Sequence, residues 1–201
     1  MMPLILSEDD RGLDEALSAL LETGGVFVFP TDTVYGMGGN PWDERAVARV
    51  RKLKERPFEQ PFALLACSIE SVSSIAAIDF SVAAILGEIL PGPYTLLLPA
   101  GSKAPASAVK DGKIGIRVPD HRFFSGAMLR LGQMLFGTSV NRTGESPLNT
   151  VEEIVEGFPG VDLIVEGKGV RGRPSAVIDL TVNPPEAIRG VLPEQLRQDS
   201  S

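Results

Sequence analysis

The sequence predicts an α+β fold, a single domain over residues 1–201 in which helices flank a twisted sheet of mixed parallel and antiparallel strands. Three observations lead to this fold class. A chain of 201 residues that is 43% hydrophobic is long enough to bury one sizeable core. Its 21 Gly and 16 Pro residues divide it into many short elements. Helical and strand patterns alternate early, whereas strands follow one another late, with connections too short for parallel crossovers.

Hydrophobic periodicity locates the elements of the first half. Leucines at helical spacing predict a helix that a capping signal at Ser7 introduces and Gly24 ends. The apolar run Val26 to Phe29 then predicts a strand that is buried on both faces, and a polar, glycine-rich loop follows it. Asp43 is placed to cap a second helix, which must end before Pro57 because the residue before a proline is disfavoured in the α region.

The remaining elements are short and separated by turn-forming residues. Further helices are predicted at residues 69–77, 80–90, 123–131 and 151–158. Further strands are predicted at residues 62–67, 94–98, 114–119, 135–140, 161–167, 175–180 and 186–190. The last three strands are expected to close the sheet together.

The charge and the scarcity of reactive residues exclude several classes of protein. There are 19 basic and 26 acidic side chains, and the resulting net charge of −7 opposes long-range attraction of nucleic acids. One Cys and one His allow neither an internal disulfide nor a structural zinc site. The N-terminus lacks the features of a signal peptide, and no apolar run approaches the ~20 residues of a membrane span. We therefore expect a cytoplasmic protein without a membrane partner.

Familiar nucleotide-binding and catalytic motifs are missing or misleading. The chain has no GxxxxGK[ST] loop. Gly167, Gly169 and Gly172 match the pattern GxGxxG, but a strand is predicted after them. The pattern therefore lacks the helix N-terminus that would bind a pyrophosphate. His121 is predicted to be a solvent-exposed residue at a helix start and not part of a catalytic triad. No spacing of acidic residues is typical of a metal cage, so no metal ligand is predicted.

The first polar block, FPTDTVYG, follows the buried strand directly. Thr31, Asp32 and Thr33 place hydroxyl and carboxylate groups at a strand end, where ligands commonly bind. Taken alone, the block is more typical of a turn whose side chains bond to their own backbone.

A basic block, RVRKLKERP, ends the second predicted helix. A run of charge is usually a solvated face. Lys54, however, lies in the last helical turn, and Arg56 is held extended by the proline that follows it, which lets the two cations converge beyond the helix end. A converging Lys and Arg bind a polyphosphate and stabilise the charge that develops during nucleotidyl transfer.

Further polar residues stand at the ends of later strands. Arg117 lies in the otherwise apolar IGIRVP, and its need for an anion leaves a structural ion pair and a ligand contact equally open. The block GTSVNRTGESP places Ser139 and Asn141 where they suit a sugar or a phosphate, although alone it is typical of an Asx turn. Ser175 begins SAVIDL, and Arg189 lies in the last strand.

The order of these blocks resembles one known family. PTDTVYG, KERP, LPGPYTLLLPA, IGIRVPDH, GTSVNRTGESP, SAVIDL and AIRG follow one another in the order of the YrdC/YciO family, from about residue 10 to residue 192. The resemblance implies one α+β domain with a core of about 10–192 and a concave, positively charged cavity. Characterised members are threonylcarbamoyl-AMP synthases, which join L-threonine, bicarbonate and ATP into threonylcarbamoyl-adenylate, release pyrophosphate and so serve tRNA modification.

The resemblance also implies roles for individual residues. Lys54 and Arg56 match the family's Lys-x-Arg pair and would be the catalytic residues that hold the triphosphate. Thr31 matches the threonine-binding position, and Arg117 would bind the threonine carboxylate. The residues expected around the nucleotide are Lys54, Arg56, Ser139, Asn141, Ser175 and Arg189. Mg²⁺ is expected to arrive with ATP. The implied macromolecular partners are tRNA, double-stranded RNA and the proteins that transfer the threonylcarbamoyl group to tRNA.

The chain departs from the family pattern at three positions, one of which is Val140, where the family's Ser-x-Asn signature commonly has Ala. Leu65 stands where many synthases have a His eleven residues after the motif lysine, and Arg189 is followed directly by Gly190 without the usual intervening residue.

Two alternatives to a synthase stay open. One is a module that binds double-stranded RNA or tRNA through basic residues 49–56 together with Lys168, Arg171 and Arg173. The other is a YciO-like protein that binds nucleotide without this turnover. The negative net charge and the lack of aromatic residues near the basic ones disfavour RNA binding.

Overall fold

The computed structural model describes residues 2–168 and 170–197, and the strands of this part form one eleven-stranded sheet. The strands are β1 Leu4–Ser7, β2 Phe27–Phe29, β3 Gly36–Gly39, β4 Ala63–Leu65, β5 Tyr94–Pro99, β6 Val109–Lys110, β7 Lys113–Arg117, β8 Leu135–Ser139, β9 Leu163–Glu166, β10 Ala176–Asp179 and β11 Glu186–Arg189. Across the sheet their order is β1-β9-β2-β3-β8-β4-β7-β5-β10-β11, with β6 paired to β7.

Strand directions are mixed, which confirms the predicted fold class. The pairs β1–β9, β2–β9, β4–β7 and β5–β10 are parallel, and the other pairs are antiparallel. The prediction that the last three strands close the sheet together was wrong for β9. It pairs with β1 and β2 near one edge, while β10 and β11 lie at the other edge, where β10 pairs with β5.

The helices of the described part are short. They are α1 Leu13–Thr23, α2 Glu44–Lys54, α3 Ile69–Val72, α4 Phe80–Ile89, α5 Leu129–Leu131 and α6 Val151–Gly157, and a π-helical turn at Phe124–Met128 leads into α5. None of these helices is both long enough and apolar enough to span a membrane.

Helices α1 and α2 differ in whether a side chain caps their start. Asp43 caps α2 as predicted, accepting hydrogen bonds from the amides of Arg45 (2.9 Å) and Ala46 (3.4 Å). The start of α1 was predicted wrongly. Ser7 belongs to β1, and the N-cap is Gly12, which makes no side-chain cap.

Strand β3 was predicted to be part of a loop, because its GMGG run is typical of one. Glycine is disfavoured in strands in general. Here a Cβ built on Gly38 would lie 1.7 Å from the carbonyl oxygen of Phe136 in β8, and one built on Gly36 would lie 2.3 Å from the ring of Phe29. The strand therefore needs glycine so that β8 and the aromatic core can approach it closely.

Two hydrophobic cores lie on opposite faces of the sheet, and β2 contributes to both. Val28 packs in the larger core with α2, α4 and α6. Phe27 and Phe29 pack in the smaller core with α1 and with Phe123, whose ring stacks on that of Phe29 with centroids 6.0 Å apart. The prediction of a strand buried on both faces is confirmed.

Candidate active site

A cavity of about 460 Å³ opens on one face of the sheet. Its floor takes alternate residues from neighbouring strands, as expected for side chains that point to the same side of a sheet: Ala63 and Leu65, Thr95 and Leu97, Gly115 and Arg117, Gly137 and Ser139. Phe29 and Leu65 belong both to this floor and to the smaller core. The floor is therefore a continuation of a packed core, which holds the cavity's shape.

The cavity collects the predicted site residues with one exception. Those that line it are Thr31, Arg56, Arg117, Ser139, Asn141, Ser175 and Arg189. Lys54 does not line it. Among the described residues that line the cavity, Glu145 is the one carboxylate facing three arginines, so the concavity is positively charged.

The Thr31–Thr33 turn is organised by its own hydrogen bonds. The Thr31 hydroxyl donates to the Val34 carbonyl (2.7 Å) and accepts from the Thr33 amide (3.1 Å). The Thr33 hydroxyl lies 2.9 Å from the Thr31 hydroxyl, and since Thr31 already donates its proton, Thr33 is the donor of this pair. Thr31 therefore shapes the cavity wall while its own donor stays occupied.

Arg117 forms a buried ion pair, one of the two readings that the sequence left open. Its Nη2 donates to the carboxylate of Asp32, and both side chains are almost fully buried. Nη1 donates to the Thr33 hydroxyl at 2.8 Å, and Nε lies 3.3 Å from the Gly92 carbonyl. An arginine has five N–H donors. Two of them, one on each Nη, therefore stay available toward the cavity.

Lys54 lies behind the cavity wall. Its side chain is fully buried, and the ammonium donates to the Ser139 carbonyl, to the Asn141 carbonyl (2.5 Å) and to the Asn141 Oδ1 (3.3 Å). Burial lowers the pKa of the Lys54 ammonium to about 8, and the positive charge of Arg56 acts in the same direction. The predicted convergence of Lys54 and Arg56 on one open space is thus not what the structure shows.

The Ser139–Asn141 turn depends on the Asn141 side chain. Its Oδ1 accepts from Lys54 and from the Ser139 hydroxyl, and its amide group donates to the carbonyls of Arg142 (2.7 Å) and Glu145 (3.0 Å). Both amide protons are therefore used inside the protein. Ser139 retains lone pairs that face the cavity and accept hydrogen bonds.

Arg56 and Arg189 are two further cations of the cavity that keep free donors. Arg56 donates through Nη2 to the Pro61 carbonyl (2.7 Å), and its Nε is buried without a partner in the described part of the chain. Arg189 donates through Nε (3.0 Å) and Nη2 (2.8 Å) to the Ser175 carbonyl. Burial lowers the pKa of both guanidinium groups, and nearby Arg51 adds to the effect on Arg56. An anion in the cavity would relieve this unbalanced positive charge.

Sequence reasoning missed Thr95 and misplaced His121. The Thr95 hydroxyl lies on the cavity floor, 2.9 Å from that of Ser175, and the available signal was a threonine in the otherwise hydrophobic run YTLLL. The prediction of an exposed His121 was wrong: the ring is buried, accepts from the Phe123 amide (3.2 Å) and lies 2.5 Å from the Lys168 carbonyl. These contacts make His121 a structural residue in the described chain.

Another depression of about 510 Å³ lies between α1 and the start of α2, around Trp42. It contains none of the predicted site residues, and it is lined by acidic and neutral side chains together with Arg45, which is already paired with Asp43. The cavity on the sheet therefore remains the candidate active site.

The comparisons with known proteins agree with this geometry. The chain matches the Sua5/YciO/YrdC family model, described as telomere recombination, over residues 19–190. This match covers more than half of the chain. The chain therefore belongs to the Sua5/YciO/YrdC family, as the order of its motifs predicted.

Relatives in this family carry two kinds of name. The threonylcarbamoyl-AMP synthase of Chromobacterium violaceum is 36% identical over 163 residues, which are 80% of this chain and 84% of that protein. The uncharacterized protein YciO of Escherichia coli is 29% identical over 174 residues, 85% of this chain and 84% of that protein.

Solved structures show the same fold. Pyrococcus abyssi Sua5 complexed with L-threonine matches with a TM-score of 0.84 and 27% identity, over 94% of this chain and 57% of that one. Escherichia coli YciO matches with a TM-score of 0.83 and 27% identity, over 92% of this chain and 93% of that one. The chain thus spans little more than half the length of Sua5 and nearly all of YciO.

Proposed function

We propose that this chain is a threonylcarbamoyl-AMP synthase, an enzyme that transfers the AMP part of ATP to a carbamate of L-threonine. The observation that carries the proposal is the group of arginines with unused donors in one cavity. Arg56 and Arg189 form no salt bridge within the described residues, and Arg117 keeps two free N–H groups. Relatives named for this activity are 31% to 36% identical to the chain.

The reaction brings anionic reactants together. The threonine amine attacks the carbon of CO₂ formed from bicarbonate, and the proton that the amine loses balances the hydroxide that bicarbonate releases. A carbamate oxygen then attacks the α-phosphorus of ATP, and the bond to the β-phosphate breaks to release pyrophosphate. The protein's task is to hold the reactants adjacent and to neutralise their charges.

Each predicted residue then has a task that fits its contacts. Arg56 and Arg189 bind the phosphates through their free donors, and the remaining N–H groups of Arg117 bind the threonine carboxylate beside Thr31. The residues that complete the nucleotide site are Ser139, Asn141, Ser175 and Lys54. Of these, Ser139 and Ser175 contact the nucleotide through hydroxyl groups, whereas Asn141 and Lys54 act by holding the turn that carries Ser139.

Mg²⁺ enters this site as the companion of the ATP phosphates. Residues 2–168 and 170–197 contain no group of three or more His, Cys, Asp and Glu side chains that could hold a metal. Phosphate oxygens are ligands that Mg²⁺ prefers, and it usually keeps several waters. We expect the ion to arrive with ATP, and its charge would add to that of the arginines.

Pyrophosphate release tests the proposal. The wild-type chain should release pyrophosphate from ATP when both L-threonine and bicarbonate are present and should not do so when either is omitted. Arg56→Ala should lower kcat/KM for ATP by at least about tenfold, or about 1.4 kcal/mol. Arg45→Ala, which removes an exposed arginine from the first turn of α2, away from the cavity, is the control. Release that needs neither co-substrate, or that survives Arg56→Ala unchanged, would contradict the proposal.

Several features rest on the family resemblance alone. They are the transfer of the product to tRNA, the proteins that carry out this transfer, the location in the cytoplasm and the domain limits of 1–201. The names of the relatives support the synthase over an RNA-binding module.

A further inference from the structure

The loop that carries Arg56 is held from behind by Arg51. This loop, residues 55–61, joins α2 to β4 and begins with Glu55 in the left-handed conformation (φ 52°). The Arg51 carbonyl accepts the Arg56 amide at 2.9 Å. Its side chain reaches the far part of the loop, where Nη1 donates to the carbonyls of Pro57 (2.6 Å) and Gln60 (3.2 Å). Arg51 thus binds both the start and the end of the loop.

A buried phenyl ring links Arg51 to Arg56. The guanidinium carbon of Arg51 lies 4.8 Å from the centroid of the Phe62 ring, and that of Arg56 lies 5.0 Å from the same centroid. Phe62 is 1% exposed and packs against Phe136 in the larger core, with centroids 4.9 Å apart. Because the core fixes this ring, its contacts hold both guanidinium groups in place relative to the sheet. Phe58 contacts Arg51 in the same way at 4.9 Å.

The two arginines divide the loop between them. Arg51 donates to the carbonyls of Pro57 and Gln60 and does not line the cavity. Arg56 donates to the carbonyl of Pro61 and lines the cavity. Neither forms a salt bridge within the described residues. Glu59 offsets part of the charge of Arg51 without pairing with it, and the repulsion from Arg51 still lowers the pKa of Arg56. An anion bound by Arg56 in the cavity would reduce this repulsion.

We infer that Arg51 is a positioning residue for ATP: it fixes the 55–61 loop and the Phe62 contact so that Arg56 meets the phosphates. Arg51 lies outside the Lys-x-Arg motif and outside the cavity, and its contribution passes through Arg56. The inference rests on the proposed function, because it takes the phosphates that Arg56 binds to be those of ATP.

The test is the dissociation constant of ATP, measured by calorimetry without threonine or bicarbonate. Arg51→Met keeps the aliphatic stem and should raise this constant, and the KM for ATP, at least about fivefold. The KM for threonine and kcat at saturating ATP should stay within about twofold. Arg49→Met is the matched control, since it removes an arginine from the same helix whose partner, Asp162, lies away from the loop. It should lower the melting temperature without changing ATP binding.

A double-mutant cycle separates positioning from general destabilisation. If Arg51 acts through the Arg56 guanidinium, Arg51→Met should change ATP binding by less than about twofold in an Arg56→Lys background. Arg51→Lys, with at least about a threefold rise in the dissociation constant, is the test if Arg51→Met does not fold. The inference would be overturned if the fold-changes that the Arg51 and Arg56 substitutions cause in the dissociation constant of ATP multiplied in the double variant. It would also be overturned if Arg51→Met and Arg51→Lys left this constant unchanged. ATP binding that follows this pattern without pyrophosphate release would contradict the proposed reaction and support the role of Arg51.

Discussion

Lys54 and Arg117 are both buried cations beside the cavity, but their surroundings differ in charge. Lys54 donates only to neutral oxygens of the Ser139–Asn141 turn, whereas Arg117 is neutralised by Asp32. Burial consequently lowers the pKa of Lys54 to about 8. One wall of the cavity is thus held by an ammonium whose pKa burial lowers, and the other by a buried ion pair.

Removing Asp32, the counterion of Arg117, should have the largest effect on the free energy of unfolding. Asp32→Ala leaves Arg117 charged, buried and unpaired, and breaking a buried pair in this way costs on the order of 3–5 kcal/mol. Urea unfolding should therefore show a loss of this size. Asp14→Ala, which breaks an exposed pair with Arg130, should cost less than about 1 kcal/mol. Equal losses for the two variants would remove the distinction between the buried pair and a surface pair.

Removing the ammonium should have a smaller effect on stability and a clear one on activity. Lys54→Met keeps the length of the side chain but leaves the carbonyls of Ser139 and Asn141 without their donor, which costs about 1–3 kcal/mol. Turnover should fall at least about tenfold because the nucleotide turn loses its anchor. Lys52→Met, an exposed lysine of the same helix, serves as the control and should leave both quantities unchanged. Normal turnover in Lys54→Met would show that the turn needs no anchor.

The two walls should also differ in their response to pH. The unfolded chain keeps the Lys54 proton up to its ordinary pKa of 10.5, whereas the folded protein releases it at about 8. Between these values the unfolded state binds more protons, so the free energy of unfolding should rise with pH, by on the order of 1 kcal/mol per unit.

The difference between wild type and Lys54→Met isolates this contribution from other groups, such as Tyr35, whose pKa burial raises. That difference should grow in favour of the wild type from pH 8 to 10.5. The difference between wild type and Thr33→Val, which removes a hydrogen bond to Arg117 and no titratable group, should stay flat over the same range. A flat Lys54 difference would mean that its three acceptors keep the ammonium charged.

The smallest effect should come from the neutral partner of Arg117. Thr33→Val keeps the shape of the side chain and removes the hydroxyl that accepts from Nη1 at 2.8 Å. We expect a loss of about 0.5–1.5 kcal/mol in urea unfolding, the usual net contribution of one hydrogen bond. A loss as large as that of Asp32→Ala would show that the hydrogen-bonded turn, and not the charge of Asp32, stabilises Arg117.

Local signals predicted much of this architecture. The apolar run of β2 and the Asp43 cap of α2 depend on neighbouring residues, and both predictions are confirmed. Strand β3 was missed because the reason for its glycines is the approach of Phe136 from a distant strand. The wide separation of β9 from β10 likewise depends on long-range pairing. The alternation of side chains along a strand identifies the strand but not its partner.

The site was predicted in composition and only partly in geometry. Motif order identified the residues that line the cavity, but helical position alone did not show which way Lys54 would turn. Its ammonium lies inward because backbone carbonyls of the Ser139–Asn141 turn, far away in sequence, lie within reach. Arg56 faces outward because Phe62 and Pro61 hold it there.

The most direct test of the central claim is the fate of bicarbonate carbon. The chain should be incubated with labelled bicarbonate, L-threonine and MgATP, and the adenylate product should be isolated. The account predicts one labelled product that contains both threonine and AMP, formed in step with pyrophosphate and lost in Arg56→Ala. Pyrophosphate release with an adenylate that carries no label would contradict it, because the cavity would then activate the threonine carboxylate and not its carbamate.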